Sequence, residues 1–221
     1  MGKTRRGNYV FLTWKGDHGP RHVHVYTDGK LIVKWNLDDR VPNEGTPDRP
    51  GASADRGIGK GRRTMKIRHA IVNNRKAQLE LTVRSGKVFP IPYAKLDPRP
   101  TSKNRIQEAY VDKELGSEAV TYVLESGQEG SVHIDHALEY NQDPSYLAEL
   151  LIHKLTVESR RRAKRSGLSR RELARCLGTS VPQLYRLLDP ANTRKSLGQL
   201  VGLLHLLDCD VRLVVSPRRA A

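Results

Sequence analysis

The stretch LSRRELARCLGTSVPQLYRLL, from Leu168 to Leu188, reads as two short helices joined by a tight turn. Ser169 is placed to cap the first helix. Glu172, three residues on, completes a reciprocal capping box that satisfies otherwise orphaned backbone donors. Leu173, Ala174 and Leu177 form an apolar stripe at helical spacing. Gly178 supplies the left-handed backbone that ends a helix without a Cβ clash. Ser180 caps the second helix, and Pro182 sits in its first turn, where a missing N–H costs nothing. Leu184, Leu187 and Leu188 then face inward, leaving Gln183, Tyr185 and Arg186 outward. A short helix with hydrogen-bonding side chains near its N-terminus is the element that enters a DNA major groove. The plain alternative is an ordinary helical hairpin.

The flanks favour the first reading. Residues 146–167 carry Leu147, Leu150, Leu151 and Leu155 at helical spacing and end in Arg160, Arg161, Arg162, Lys164 and Arg165. A polar link, Asp189 to Lys195, follows the motif, and Ser196 is placed to cap an apolar helix from Leu197 to Leu207. This four-helix order, with the motif at helices two and three, resembles the lambda-repressor/Cro-like (Xre) family. The resemblance implies base contacts from Gln183 and phosphate contacts from Ser180, Arg170 and Arg186. Val181 and Pro182 depart from the polar residues often found at those positions, so base readout is expected to be sparse. The expected DNA-binding set is Arg170, Ser180, Val181, Gln183, Tyr185 and Arg186, with Arg161, Arg162, Lys164 and Arg165 on the approaching helix.

Charge is distributed in blocks. Of the net +15, residues 1–87 hold 19 Lys/Arg against 8 Asp/Glu, residues 88–150 hold 5 against 11, and residues 151–221 hold 15 against 5. Two basic lobes around an acidic one point to polyanion binding at both ends, because each neutralised phosphate releases a condensed counterion. A mean hydropathy of −0.60 and 5% aromatic residues fit small modules better than one large enzyme core. Cys176 and Cys209 fit a reduced chain, as small core residues rather than a disulfide. No run approaches the ~20 apolar residues of a membrane span, and the basic N-terminus lacks a signal peptide's apolar core. A cytoplasmic location without membrane contact is expected.

In the first module Tyr9–Lys15, His22–Tyr26 and Lys30–Asn36 read as strands, with Asp28-Gly29 as a hairpin turn. The Gly/Pro-rich residues 41–63 read as a mobile loop, and Thr64–Gln78 as a helix through Ile67, Ala70, Ile71 and Asn74. The middle module reads as sheet, with hairpins about Ser85-Gly86 and Gly127–Gly130. Pro90 and Pro92 confine their strand to an edge. The expected architecture is α+β. It has an N-terminal sheet-plus-helix module (1–81), an acidic sheet-rich module (82–145) and a C-terminal helical bundle (146–221).

The residues GKVFPIPYAKLDP and TYVLESGQEGSVHIDHALEYNQDP make the middle module similar to domain-of-unknown-function family 2442. The residues DHGPRHVHVYTDGKL make the first module resemble family 4160. These resemblances imply toxin–antitoxin partnership and carry no settled active residues. Residues 41–63 have no counterpart in them.

His18, His22 and His24 are the candidate metal ligands, since His22 and His24 share one face of an extended strand and a neutral imidazole trio suits zinc. Asp17 or Asp28 would add a carboxylate. Alternatively the histidines lie on a solvent face, or contact phosphate beside Arg21. Arg62, Arg63, Lys66, Arg68, Arg75 and Lys76 form either a nucleic-acid surface or a solvated face against the acidic module. His133, Asp135, His136 and Glu139 read as a structural network more than a metal site. GIGKGRR at 57–63 lacks the spacing and Lys-Ser/Thr ending of a phosphate loop, and no nucleophile elbow is present.

The chain therefore reads as a sequence-specific DNA-binding transcriptional regulator, autoregulatory in a toxin–antitoxin-type locus. It is expected to work as a homodimer on double-stranded DNA, using the final helix and a strand Val211–Val215, with no catalytic residue and no cofactor. The rival reading is a fused toxin–antitoxin protein whose basic histidine-bearing module is a nuclease or RNA-directed toxin. A toxin or antitoxin partner fits either reading.

Overall fold

The computed structural model describes residues 2–13, 21–38, 40–45 and 65–215. The chain is mixed α+β and divides into two compact units, Met1–Leu150 and Leu151–Ala221.

The first unit opens with a five-stranded antiparallel meander: β1 (Gly2–Arg6), β2 (Tyr9–Thr13), β3 (His22–Thr27), β4 (Lys30–Asn36) and β5 (Val41–Gly45), in that order. Thr27 pairs with Lys30, so the β3–β4 loop is two residues long. Asp28 and Gly29 both have positive φ, +47° and +68°, as a two-residue hairpin turn requires. The segment from residue 41, expected as loop, begins with strand β5; residues 46–64 lie outside the described residues.

Two three-stranded antiparallel sheets follow. One is β6 (Ile67–Asn73), β7 (Gln78–Val83) and β8 (Val88–Pro92); the other is β9 (Ile106–Asp112), β10 (Ala119–Leu124) and β11 (Glu129–His133). β8 is an edge strand, the place its two prolines demand. Alternate residues of β7 (Leu79, Leu81, Val83) are buried with Phe89, Ile91, Val120, Tyr122, Leu124 and Val132. Helix α1 (Ile134–Tyr140) closes this core with Ile134, Ala137 and Leu138, and Tyr146 and Leu150 of α2 (Pro144–Arg165) join it.

The helix expected over Thr64–Gln78 is instead β6, a turn at 74–77 and the start of β7. The cause is a β-bulge. Register shifts between Ile67 and His69, so Ile67, Ala70 and Val72 share the inward face opposite Val83, Leu81 and Leu79. An extra residue turns a period of two into a step of three, which imitates helical spacing. Among the described residues the first module, 1–81, thus has strands and no helix.

The second unit comprises α2 from Leu151, then α3 (Arg170–Cys176), α4 (Val181–Leu187) and α5 (Leu197–Leu206). Its core is Ala163, Leu173, Ala174, Leu184, Leu187, Leu188, Leu200 and Leu203. Each buried leucine contributes roughly 1.5–3 kcal/mol of burial free energy. Residues 211–215, expected as a strand, form no regular element. Leu213, Val214 and Val215 are 77–86% exposed, because no described strand pairs with them. Cys176 is exposed at the end of α3 and Cys209 half-buried, so neither is the fully buried residue expected. Among the described residues no helix is long and apolar enough to cross a membrane.

Candidate nucleic-acid interface

The α3–α4 pair is fixed by local chemistry. Ser169 Oγ accepts from the Glu172 backbone N–H at 3.2 Å, and the Ser169 N–H donates to Glu172 Oε2 at 2.8 Å. Hydrogen bonding to the carboxyl from the Ser169 side chain, and after it from the Ser169 backbone N–H, holds Glu172 below its usual range. Gly178 takes φ +65° in the turn. Ser180 Oγ then accepts from Gln183 N at 3.4 Å and starts α4. Leu184 and Leu187 are buried, while Gln183, Tyr185 and Arg186 are exposed. The Thr179 hydroxyl donates to Gln183 Oε1 at 2.8 Å, which leaves the amide NH₂ as the outward hydrogen-bonding group. Val181 is half-buried against the helical core.

Gln183 and Arg186 line a groove of about 690 Å³ whose far wall is Asn192, Arg194 and Lys195 with the start of α5. The link forming that wall is pinned in place. Lys195 Nζ donates to the Asp189 carbonyl at 2.5 Å and to Thr156 Oγ1 at 3.0 Å, and Asn192 Nδ2 donates to the Arg186 carbonyl at 3.3 Å. Burial pushes the Lys195 ammonium down to about 8.

The basic end of α2 is not uniform. Arg161 and Arg162 both bond the Glu158 carboxylate, at 2.7–2.8 Å, and hold it below its usual range. Lys164 and Arg165 are exposed. Arg170, first residue of α3, is half-buried, and its Nη1 makes no hydrogen bond among the described residues. An exposed amide, phenol and guanidinium on one short helix, with cations beside them, can bond base edges and phosphate oxygens.

A second constellation lies in the first unit. His22, His24 and Tyr26 occupy alternate positions of β3, with Asn36 opposite His22 and Lys34 opposite His24 on β4. All five are buried, so the solvent-face alternative does not hold for His22 and His24. The reason is long-range: Glu118, His133 and Asp135, at the ends of β10, β11 and α1, cover them. His22 Nε2 and His24 Nε2 stand 3.0 Å apart, which requires one to donate and the other to accept. The Tyr26 hydroxyl donates to Glu118 Oε2 at 3.2 Å and lies 3.2 Å from His133 Nε2 and 3.4 Å from His24 Nδ1. Burial, and after it the charge of Glu118, holds the Tyr26 phenol well above its ordinary value. Lys66 Nζ donates to Glu118 Oε1 at 2.6 Å, and Lys34 Nζ is 3.5 Å from Asp135 Oδ2. His133 Nδ1 accepts from Asp135 N and caps α1, so the strand ends before Asp135. Sequence reasoning singled out His22 and His24 but missed Tyr26, Lys34 and Glu118. Tyr26 continues the same period-two face, which was the available signal.

Asp17 and His18 lie outside the described residues, as do Arg62 and Arg63. Arg68 stands on β6, and Arg75 and Lys76 in the turn after it, rather than on a helix. Among the described residues no three His, Cys, Asp or Glu side chains are grouped to hold a metal ion. No protein-family model, curated protein or solved structure matches this chain.

Proposed function

We propose that the protein is a sequence-specific DNA-binding transcriptional regulator in which α3 and α4 work as a helix-turn-helix. In this reading α2–α5 form a lambda-repressor-like bundle and α4 enters the major groove. Gln183 and Tyr185 face base edges. Ser180, Arg170 and Arg186 meet phosphates at the helix starts and along the groove, with Lys164 and Arg165 reinforcing them from α2. Arg161 and Arg162 contribute less, since Glu158 already neutralises part of their charge. One observation carries the proposal: α4 spends its leucines on the core and leaves Gln183, Tyr185 and Arg186 exposed beside a groove rimmed by Arg194 and Lys195.

A lone helix of this size buries too little surface for tight specificity, so the protein acts as a homodimer on a palindrome, with half-sites about 34–36 Å apart. Control of its own promoter in a toxin–antitoxin-type locus fits such a regulator. Selection of bound duplexes from a random pool by the full chain tests the proposal. A symmetric consensus, lost with Gln183→Ala, supports it. Enrichment of no sequence, at any salt, refutes it.

A further inference from the structure

Helix α5 carries two glycines, Gly198 and Gly202, one turn apart on the same face. Neither is demanded by its own surroundings. A Cβ on Gly198 would meet nothing nearer than Ser196 Oγ at 3.5 Å, and one on Gly202 nothing nearer than Leu177 Cδ1 at 3.9 Å, both ordinary contacts. Neither backbone is left-handed. Glycine inside a helix is destabilising relative to alanine, because more chain freedom is lost on folding. Both glycines line the groove beside Gln183 and Arg186. They keep its α5 wall bare of side chains, so that a group from outside the chain can approach the helix closely.

Charge says what kind of group that is. Arg186, Arg194 and Lys195 line the groove, and none of its described lining residues is acidic. The Lys195 ammonium donates only to neutral oxygens, the Asp189 carbonyl and the Thr156 hydroxyl, which leaves its third N–H for a ligand. Burial disfavours its charge, and an anion beside it relieves that cost. A carboxylate offsets one of the three positive charges. A phosphate group carries about −1.5 to −2 and accepts from several donors at once. The volume of about 690 Å³ lies within the range of roughly 300–1,000 Å³ found for small-molecule pockets.

We propose that the groove between α4 and α5 binds a small phosphorylated molecule, and that this ligand, by engaging Gln183 and Arg186, releases the protein from DNA. The release rests on the DNA-binding proposal; the binding does not. Ligand and duplex draw on the same two side chains, so each weakens the other by the same factor.

The test titrates the full chain with inorganic pyrophosphate at about 150 mM salt, where attraction to the exposed basic surface is screened beyond about 8 Å. Backbone amides are followed by nuclear magnetic resonance. Saturable shifts centred on Gly198, Gln199 and Gly202 are expected, with Gly202→Ala weakening the affinity about tenfold while raising the melting temperature. Shifts spread over the basic surface, or no saturation by about 10 mM, overturn the site. Should Gly202→Ala melt lower than wild type, Arg194→Ala decides, since Arg194 is exposed and its loss spares the core. An unchanged affinity in that variant overturns the site as well.

The release is read on a duplex selected by the full chain, with pyrophosphate added at constant ionic strength. Wild type is expected to let go of the duplex, and Gly202→Ala to bind it equally well but to ignore the anion. A matching loss of duplex affinity in Gly202→Ala would place a DNA phosphate in the groove and overturn the small-ligand assignment. If no duplex is selected, the DNA-binding proposal and the release fall together, and the amide shifts alone decide the site.

Discussion

Gly29 and Gly116 meet backbone to backbone: a Cβ on Gly116 would stand 2.6 Å from the Gly29 carbonyl oxygen. A Cβ on Gly29 would in turn stand 2.6 Å from the Lys113 carbonyl oxygen. Both glycines have positive φ, +68° and +63°. The β3–β4 hairpin therefore seats directly on the turn between β9 and β10, and no side chain fits between them. Gly116→Ala is expected to destabilise the first unit by roughly 2–3 kcal/mol, joining left-handed strain to displaced backbone. Gly86→Ala, at φ +87° with open space around it, is expected to cost only about 1 kcal/mol. Urea titration followed by tryptophan fluorescence separates the two, since both tryptophans precede residue 36. Equal costs would show that the contact yields.

Asp143 joins an acid-sensitive tie. Lys87 Nζ donates to its Oδ2 at 2.5 Å while Oδ1 accepts from Tyr146 N at the start of α2. The Lys87 hydrogen bond leads in holding the carboxyl below its ordinary 3.8. A depressed carboxyl stabilises the fold fully above its unfolded value and loses that contribution as pH falls through the native one. Asp143→Asn keeps the cap but not the charge. It is expected to cost about 1–3 kcal/mol at neutral pH, with the gap to wild type closing below pH 3.8 in thermal melts.

Lys195 predicts a slope of the same sign, at high pH. Its native value of about 8 lies below the ordinary 10.5, so between the two the unfolded chain holds more proton and stability rises with pH. Below about 8 both states are protonated and the burial cost is fully present. Helicity-monitored melts of wild type are expected to rise from pH 8 to 10.5, and those of Lys195→Met to lack that rise. Parallel curves would exclude this titration.

The Ser169 cap serves the helix pair before any DNA arrives. Ser169→Ala is expected to cost about 1 kcal/mol in the second unit, read by denaturant melts of far-ultraviolet circular dichroism. Ser169→Asp, which can still accept from Glu172 N, is expected to restore most of it. No rescue would show that the hydroxyl is not acting as the cap.

Arg186 and Gln183 should fail differently on a selected operator. Arg186→Ala is expected to weaken binding to all sequences alike and to lower the salt slope by about one. Gln183→Ala is expected to lose about 1–3 kcal/mol of discrimination at one base position. Competition gel shifts with single-base variants distinguish these outcomes, and identical profiles for both would count against their assigned roles.

Local signals were legible from the amino acids alone. The capping residues Ser169, Ser180 and Ser196, the Gly178 turn, the inward leucines of α4, the Asp28-Gly29 hairpin and the edge position of Pro90 and Pro92 all follow from short-range stereochemistry. For the caps and turns, neighbours within four residues supply every group involved. Three features needed contacts from afar. The step of three from Ile67 to Ala70 resembles a helix until Val83 and Leu81 stand opposite. VRLVV has strand composition but finds no partner strand among the described residues. His22 and His24 look solvent-facing until Glu118, His133 and Asp135, about a hundred residues later, cover them. A strand's period says which residues share a face. Only the packing of distant segments settles whether that face meets water, apolar side chains or opposite charge.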